Sequence, residues 1–371
     1  MKLVLVIPEL GADNFGHHND LVAAVSSIQS GIQTQVLTNA TRMGSAIEIP
    51  WFTHGKDVDG SSEVFFEEMR QFLQAEPSTR SVCIFAYNCD RSRMNQLIVL
   101  ASLFPEFTFI ANLLFPYDGK RQRWQGVKPT NVLLTSEVDA TLTILRSDYP
   151  GIKSEKMPVY APQLDRAERA VGLKEFEPHS QLLLFGSNNP RRGYSLALKA
   201  ISNRKDLLKL VASITVKVES HVKKDEIVRM TNEGSPTLGE STIRFVEGQV
   251  DDLALSKIFE SSSVAILPYT SSQFRYQASG MFIHALKFNV IPIVLDGTWM
   301  AHELRWLGLG KLVANDSAQS LERVLEYVLT NQTAVRTEIE GASHLIRARY
   351  DRQTFLDFLS SLDGRFEKQT N

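Results

Sequence analysis

The first segment whose residue types suit ligand chemistry lies near the middle of the chain. Residues 182–185 form an apolar run that ends in Gly186, and a polar turn with the paired residues Arg191 and Arg192 follows. Gly193 then opens an amphipathic helix. Backbone N–H groups at a helix start carry about half a positive charge, and a guanidinium adds a bidentate donor. The segment therefore predicts a phosphate-binding corner, and the alternative is a solvated loop with surface arginines.

A second segment of the same kind follows later in the chain. A predicted strand ends at Pro268, and a polar loop containing Arg275 leads to a Ser279-Gly280 turn and an apolar helix. Small residues at a helix start let backbone N–H groups approach a ligand closely. The alternative is that Ser279 and Gly280 only cap the helix. Because both corners lie in the same half of the chain, together they favour a diphosphate ligand, most simply a nucleotide.

Histidines supply the other candidates for chemistry. His17 and His18 lie beside Gly16 in a loop after the first predicted strand, where they could orient a ligand. The alternative there is an ordinary polar loop. His302 and Glu303 follow a later strand, but a His-Glu pair at such a place more often lies on a helix surface. The sequence shows no Ser-His-Asp set and no metal-ligand spacing.

The elements that must position these residues alternate between short apolar runs and amphipathic segments along the whole chain. This alternation predicts βαβ units in parallel, doubly wound sheets whose strands are covered on both faces. We interpret residues 154–179, which are charged and contain several prolines, as the linker region. We expect an N-terminal domain over residues 1–165, a second domain over 166–350, and a C-terminal helix within 351–371 that packs back on the first domain. Open α/β sheets bind ligands at the carboxyl ends of their strands, so we expect both domains to face a central cleft.

The composition excludes several classes of protein. The 371 residues are 43% hydrophobic and 22% charged, which is typical of a folded protein and not of a disordered one. A formal net charge of −2 gives no reason to expect a nucleic-acid partner. Cys83 and Cys89 are the only cysteines, which excludes a disulfide framework and fits a reducing cytoplasm.

The apolar runs also indicate whether the chain could be secreted or could cross a membrane. The first run is too short for a secretory signal, and no run is long enough to span a bilayer, so we expect a cytoplasmic protein. A basic and aromatic loop over residues 117–128 leaves peripheral contact with the inner face of the membrane open, as it does contact with a lipid-linked acceptor.

The second half of the chain resembles the donor-binding domain of GT-B fold glycosyltransferases, in particular the retaining, family-4-like group with its bacterial members. The resemblance covers about residues 180–315, in order and approximate spacing. It rests on the strand, glycine and basic turn around Gly186 and Arg192, on residues 245–248 and 265–268, and on Ser279-Gly280 followed by Pro292-Ile293-Val294. It implies an α/β protein of the GT-B class, with two doubly wound Rossmann-like domains facing a central cleft.

The resemblance also implies a site and a mechanism. It implies the catalytic residues Arg192, Arg275 and His17, the donor- and phosphate-binding residues Gly186, Ser187, Asn188, Arg191, Tyr276, Ser279, Gly280, Met281 and His284, and the acceptor-facing residues Gly16 and His18. In this group the acceptor attacks the face that the leaving diphosphate departs from, and a phosphate oxygen takes the acceptor's proton. Arginines and helix N–H groups would neutralise the leaving group. The mechanism implies no protein nucleophile, no metal and no cofactor, with the nucleotide-diphosphate sugar as donor substrate.

The implied function is that of a hexosyltransferase-like enzyme of polysaccharide or glycoconjugate biosynthesis. It would move a sugar from a nucleotide-diphosphate sugar to a saccharide, lipid-linked or small-molecule acceptor. The chain departs from the family at Tyr276 and His284, where the family has glutamates, and at Ser187, where it has an arginine. The missing glutamates keep one alternative open, a non-catalytic GT-B-like protein that binds a nucleotide sugar or a partner. A sugar-nucleotide epimerase is a second alternative with the same fold, and it would need acid and base carboxylates in the cleft. The sequence indicates neither the donor base nor the oligomeric state.

Overall fold

The chain forms two compact units, and each is described by itself. The structure is a computed structural model that describes residues 2–7, 21, 25, 33–38, 46–48, 61–76, 82–113, 123–160, 180–184, 192–218, 242–247, 250 and 252–362. Unit 1 consists of Met1–Pro162 with Asp351–Asn371, and unit 2 consists of Gln163–Tyr350.

Unit 1 contains a seven-stranded sheet in which every neighbouring pair of strands is parallel. Its strands are β1 (Lys2–Ile7), β2 (Gln33–Thr38), β3 (Ala46–Glu48), β4 (Val82–Cys89), β5 (Thr108–Leu113), β6 (Val132–Ser136) and β7 (Lys153–Lys156), in the spatial order β3-β2-β1-β4-β5-β6-β7. The helices between them include α1 (Ser61–Ala75), α2 (Arg91–Leu103) and α3 (Asp139–Asp148).

The continuous apolar run in β1 shows why these strands form the centre of the unit. Alternate side chains of a strand point to opposite faces of the sheet. Val4 and Val6 belong to one buried hydrophobic cluster, whereas Leu3, Leu5 and Ile7 belong to another. Both faces of the strand are therefore covered, which confirms the expectation drawn from the apolar runs.

Unit 2 contains a six-stranded parallel sheet. Its strands are β8 (Ser180–Leu184), β9 (Val211–Val218), β10 (Thr242–Glu247), β11 (Val264–Leu267), β12 (Ile291–Leu295) and β13 (Val313–Ala314). Its helices include α4 (Tyr194–Asn203), α5 (Lys205–Leu208), α6 (Asp252–Ser261), α7 (Ser271–Phe274), α8 (Gly280–Lys287), α9 (Trp299–Trp306), α10 (Ala318–Thr330), α11 (Gln332–Gly341) and α12 (Ser343–Tyr350). A 3-10 turn over Gly310–Leu312 precedes β13.

The strand order of unit 2 is β10-β9-β8-β11-β12-β13, which is the 3-2-1-4-5-6 order of a Rossmann sheet. The order reverses between β8 and β11, which pair in parallel, so the carboxyl ends of these two strands lie side by side. Ligands of open α/β sheets bind at such a switch point. The two phosphate-binding corners predicted from the sequence follow these two strands.

A last helix, α13 (Arg352–Ser361), follows unit 2 along the chain but belongs to unit 1. Phe355 is fully buried, and its ring centroid lies 5.0 Å from that of Tyr160 and 6.5 Å from that of Phe85. The same buried cluster contains Phe358 and Leu359. The apolar face of α13 therefore covers one face of the unit 1 sheet.

Several elements differ from the sequence-based expectations. Residues 154–156, which the sequence places in the linker region, belong to β7, an edge strand of sequence Lys-Ser-Glu-Lys with no apolar run to mark it. The short α7 and the helix α9 are not predicted by the sequence. The sequence also predicts one helix over residues 336–350, and this prediction was wrong, because Gly341 ends α11 before α12 begins.

Candidate functional site

The start of α4 is pressed against the chain that leaves β11. Gly193 is the N-cap residue of α4 and has a φ of 60°, in the left-handed region. A Cβ at this position would lie 1.9 Å from the carbonyl oxygen of Pro268. Glycine is the residue that permits both the backbone conformation and the close approach. The start of α4, where the first predicted corner ends, therefore contacts the chain that follows β11 and leads to the second corner.

Tyr269 lies where the two corners meet. Only 2% of this residue is exposed, and its ring centroid lies 4.3 Å from that of Phe274. The guanidinium carbon of Arg192 lies 5.4 Å from the Tyr269 ring centroid. The side chains of Arg192 and Ser279 both form hydrogen bonds with Tyr269. Burial raises the pKa of Tyr269, while the charge of Arg192 and these two hydrogen bonds act in the opposite direction.

Ser279 begins the second corner as the N-cap residue of α8. Its backbone is extended, and its Oγ accepts a hydrogen bond from the N–H of Phe282 at 3.3 Å. In a capped helix the first N–H groups, here those of Gly280 and Met281, have no carbonyl partner within the helix. The positive end of the α8 dipole and these N–H groups therefore lie next to the Ser279 side chain that contacts Tyr269.

Among the described residues, two arginines of this region have no carboxylate partner. Arg275 is exposed, and its guanidinium carbon lies 5.8 Å from the ring centroid of Tyr276. Within the residues that the structure describes, neither Arg192 nor Arg275 forms an ion pair. Their positive charge is therefore available to an anionic ligand.

His284 occupies a different environment from the exposed Arg275. Only 1% of His284 is exposed, and its ring centroid lies 5.8 Å from that of Phe259. His284 lies on the buried face of α8, and its donor-binding role stays a prediction. The other predicted residues, Gly16, His17, His18, Gly186, Ser187, Asn188 and Arg191, lie outside the described residues.

Sequence reasoning missed one residue of this region and misplaced another. Tyr269 was not predicted, although an aromatic residue directly after a buried strand and Pro268 could have marked it. The placement of Glu303 on a helix surface was wrong. Its side chain is fully buried, and its Oε1 accepts a hydrogen bond from Nη2 of Arg349 at 2.7 Å. The neighbouring His302, in contrast, has 67% of its side chain exposed.

Unit 1 has a buried carboxyl group at the carboxyl ends of its strands. The hydroxyl of Tyr87 donates to Oε1 of Glu137 at 2.8 Å, and the N–H of Tyr160 donates to the same oxygen at 3.4 Å. Burial raises the pKa of Glu137 to about 7, although both hydrogen bonds oppose the shift. Within the described part of the chain Glu137 forms no ion pair.

The basic and aromatic loop is described only from Arg123 onward. The indole N–H of Trp124 donates to the carbonyl of Val127 at 2.7 Å, and its ring centroid lies 6.3 Å from that of Tyr149. This tryptophan therefore contributes to the packing of unit 1. None of the helices that the structure describes is long and apolar enough to cross a membrane. Among the same residues no group of three or more His, Cys, Asp or Glu side chains could hold a metal ion.

Comparison with known proteins identifies the fold. No protein-family profile matches the chain, and no curated protein matches its sequence. Its structure is similar to that of a glycosyltransferase from Rickettsia africae ESF-5, with 10% identity, a TM-score of 0.67, and coverage of 100% of this chain and 99% of that chain. It is also similar to an alpha,alpha-trehalose-phosphate synthase (UDP-forming) from Burkholderia vietnamiensis, with 12% identity, a TM-score of 0.66, and coverage of 98% and 100%.

A third similar structure is WaaG, a glycosyltransferase involved in lipopolysaccharide biosynthesis, with 15% identity, a TM-score of 0.61, and coverage of 97% of this chain and 99% of that chain. At such low identities the similarity defines the fold. The chain is an α/β protein with the GT-B fold of these glycosyltransferases, and this confirms the fold expected from the resemblance.

Proposed function

We propose that the protein is a glycosyltransferase that moves a sugar from a nucleotide-diphosphate sugar to an acceptor. One observation carries the proposal: Arg192 and Ser279, from the two loops at the switch point of unit 2, meet at Tyr269, and no carboxylate of the described residues neutralises Arg192. A helix N-terminus next to an uncompensated guanidinium is suited to a diphosphate.

The chemistry follows from this charge arrangement. The bond between the anomeric carbon and the diphosphate oxygen breaks, and a bond from the acceptor oxygen to that carbon forms. The departing diphosphate gains negative charge, which Arg192, Arg275 and the first N–H groups of α8 would stabilise. The acceptor attacks the same face of the sugar that the diphosphate leaves, so the configuration is retained without a protein nucleophile. A phosphate oxygen of the leaving diphosphate takes the acceptor's proton.

The similar structures guide the choice of substrates to test. One of them is a UDP-forming synthase, so UDP sugars are the first donors to test. The synthase makes a trehalose phosphate, whereas WaaG acts in lipopolysaccharide biosynthesis. Proteins of this fold therefore use acceptors of different kinds, and both saccharide and lipid-linked acceptors belong in the panel.

A second candidate function is a protein that binds a nucleotide sugar without catalysis. The observation that favours it is the pair Tyr276 and His284, which stand where the resembled family has glutamates, with His284 only 1% exposed. Thermal stabilisation by nucleotides, without turnover of UDP, GDP or ADP sugars on any acceptor, would favour this binding function.

Titration calorimetry with UDP and GDP tests the site itself. We expect Arg192→Ala and Arg275→Ala each to weaken binding by about 1–3 kcal/mol, or about 5- to 150-fold, the size of a charged hydrogen bond. Arg204→Ala is a matched control, because Arg204 of the same unit pairs with Asp206 and Glu326 at the surface. Unchanged affinity in both site variants would refute the proposed function.

A further inference from the structure

We propose that Tyr269 is a positioning residue that fixes Arg192 and the N-terminus of α8 in one arrangement for the diphosphate. The inference rests on the proposed function and deepens it, because Tyr269 lies beneath both predicted corners. It assigns to the tyrosine hydroxyl the role of a neutral anchor for the arginine.

The ring of Tyr269 has a fixed position. It is almost completely buried and packs on Phe274. Its backbone follows Pro268 directly, and the carbonyl of Pro268 is the group that leaves no room for a side chain at Gly193. Neither Tyr269 nor the start of α4 can move without displacing the other. The hydroxyl is therefore a rigid reference point for side chains of both loops.

The Tyr269 hydroxyl is joined to both donors of the predicted phosphate site. Arg192 and Ser279 form hydrogen bonds with it, and Ser279 Oγ in turn accepts from the N–H of Phe282. A guanidinium carries five N–H donors in a rigid plane, so one bond to Tyr269 orients the group and leaves other donors for a ligand. The hydroxyl thus links the arginine to the capped end of α8.

The Tyr269 hydroxyl is suited to orienting Arg192 because it carries no charge. A carboxylate in the same place would orient Arg192 equally well but would cancel its charge and repel a phosphate. A tyrosine hydroxyl accepts the hydrogen bond and carries no charge, because burial keeps it protonated. Arg192 is therefore held in place with its positive charge intact.

The test is titration calorimetry of the full chain with UDP and with inorganic pyrophosphate. Tyr269→Phe keeps the ring and its packing but removes the hydrogen-bond acceptor. We expect about tenfold weaker binding of both ligands, the loss of one charge-assisted hydrogen bond. In the double variant with Arg192→Ala, affinity should stay within about threefold of Arg192→Ala alone, because Tyr269 acts through that arginine.

Two results would overturn the inference alone: Tyr269→Phe binding as tightly as the wild type, or full additivity with Arg192→Ala. The control Tyr350→Phe removes another buried tyrosine hydroxyl of unit 2, which bonds Glu303, and should leave both affinities unchanged. If Tyr350→Phe weakened ligand binding by a similar factor, the effect of Tyr269→Phe would reflect a general destabilisation of unit 2. That result would also overturn the inference. If the wild type binds neither UDP nor pyrophosphate, the proposed function fails, and the inference fails with it.

Discussion

Two arginines of unit 2 lie over aromatic rings beside buried tyrosines, but they differ in charge compensation. The guanidinium carbon of Arg349 lies 4.5 Å from the Trp306 ring centroid, and the same guanidinium donates to the carboxylate of Glu303. The guanidinium carbon of Arg192 lies 5.4 Å from the Tyr269 ring centroid, and a hydroxyl takes the place of the carboxylate. The two groups use the same residue types for different purposes.

The comparison separates a structural arginine from a functional one. Burying a carboxylate costs folding free energy unless a cation and hydrogen bonds accompany it. Arg349 supplies that cation to Glu303, and Glu303 in turn neutralises the charge of Arg349. Arg192 has no such partner within the described residues, and its charge stays available to a ligand. Removing the first arginine should therefore affect stability, and removing the second should affect binding.

The largest effect on stability is expected for Arg349→Ala. Among the described residues, Glu303 would keep the Tyr350 hydroxyl and His302, whose Nδ1 lies 3.7 Å from its Oε1, as partners. Losing the buried guanidinium contact should cost about 3 kcal/mol of unfolding free energy. Urea unfolding measures this change, and UDP affinity should not alter. Arg347→Ala, which changes an exposed arginine of the same helix, should stay within about 0.5 kcal/mol of the wild type. Equal unfolding midpoints for the two variants would remove the distinction between the arginines.

The next largest effect is expected at the glycine that brings the two corners together. Gly193→Ala places a Cβ in a left-handed residue and against the Pro268 carbonyl, so α4 must shift and carry Arg192 with it. We expect a loss of about 2 kcal/mol of stability and at least about tenfold weaker UDP binding.

Gly308→Ala separates backbone strain from displacement. Gly308 has a φ of 77°, but an added Cβ would have no neighbouring atom within 4 Å, so the variant carries the strain alone. It should cost about 1 kcal/mol of stability and leave UDP binding unchanged. If Gly193→Ala binds UDP as tightly as Gly308→Ala does, the contact between the two loops does not position Arg192.

Glu137 of unit 1 extends the comparison to a buried acid that has no cation beside it among the described residues. Its folded-state pKa of about 7 lies above the ordinary value of 4.5, so the folded protein retains a proton that the unfolded chain releases. The stability from this group is fully present below the unfolded pKa and is lost as pH rises through the folded pKa. The slope between these values is at most about 1.4 kcal/mol for each pH unit.

The variant Glu137→Gln tests this dependence, because its amide cannot lose a proton. Urea unfolding at about pH 5 and about pH 8 should show the wild type losing more stability than the variant as pH rises. Parallel curves for the two proteins would mean that Glu137 titrates normally in the folded state.

The local features of unit 2 could be predicted from the sequence. The sequence predicts a helix over Gly280–Lys287, because Ser279 is a capping residue before an apolar helix, and a strand over the apolar run Ile291–Leu295. The observed bounds of α8 and β12 agree with both predictions. The Rossmann-like fold followed from the alternation of such elements. The element bounds and the fold class both depend on residues that lie close together in the sequence.

The contacts that define the candidate site could not be predicted in the same way. Tyr269 and Arg192 come together across a crossover of the sheet, and Glu303 finds Arg349 through the packing of α9 on α12. Neither pairing leaves a periodic or compositional pattern. The sequence therefore predicted which residues could bind phosphate but not which groups hold them, nor that Glu303 is buried.

The smallest effect is expected for Ser279, which both caps α8 and forms a hydrogen bond with Tyr269. Ser279→Ala removes the cap of α8, which should cost about 1 kcal/mol of stability, and it also removes the bond to Tyr269. Ser317→Ala is a matched control, because Ser317 caps α10 of the same unit by accepting from the N–H of Ser320 at 3.2 Å. Both variants should lose similar stability in urea unfolding, but Ser279→Ala alone should weaken UDP binding, by about threefold to fivefold. Equal UDP affinities would show that Ser279 only caps a helix, which is the structural role that Ser317 has.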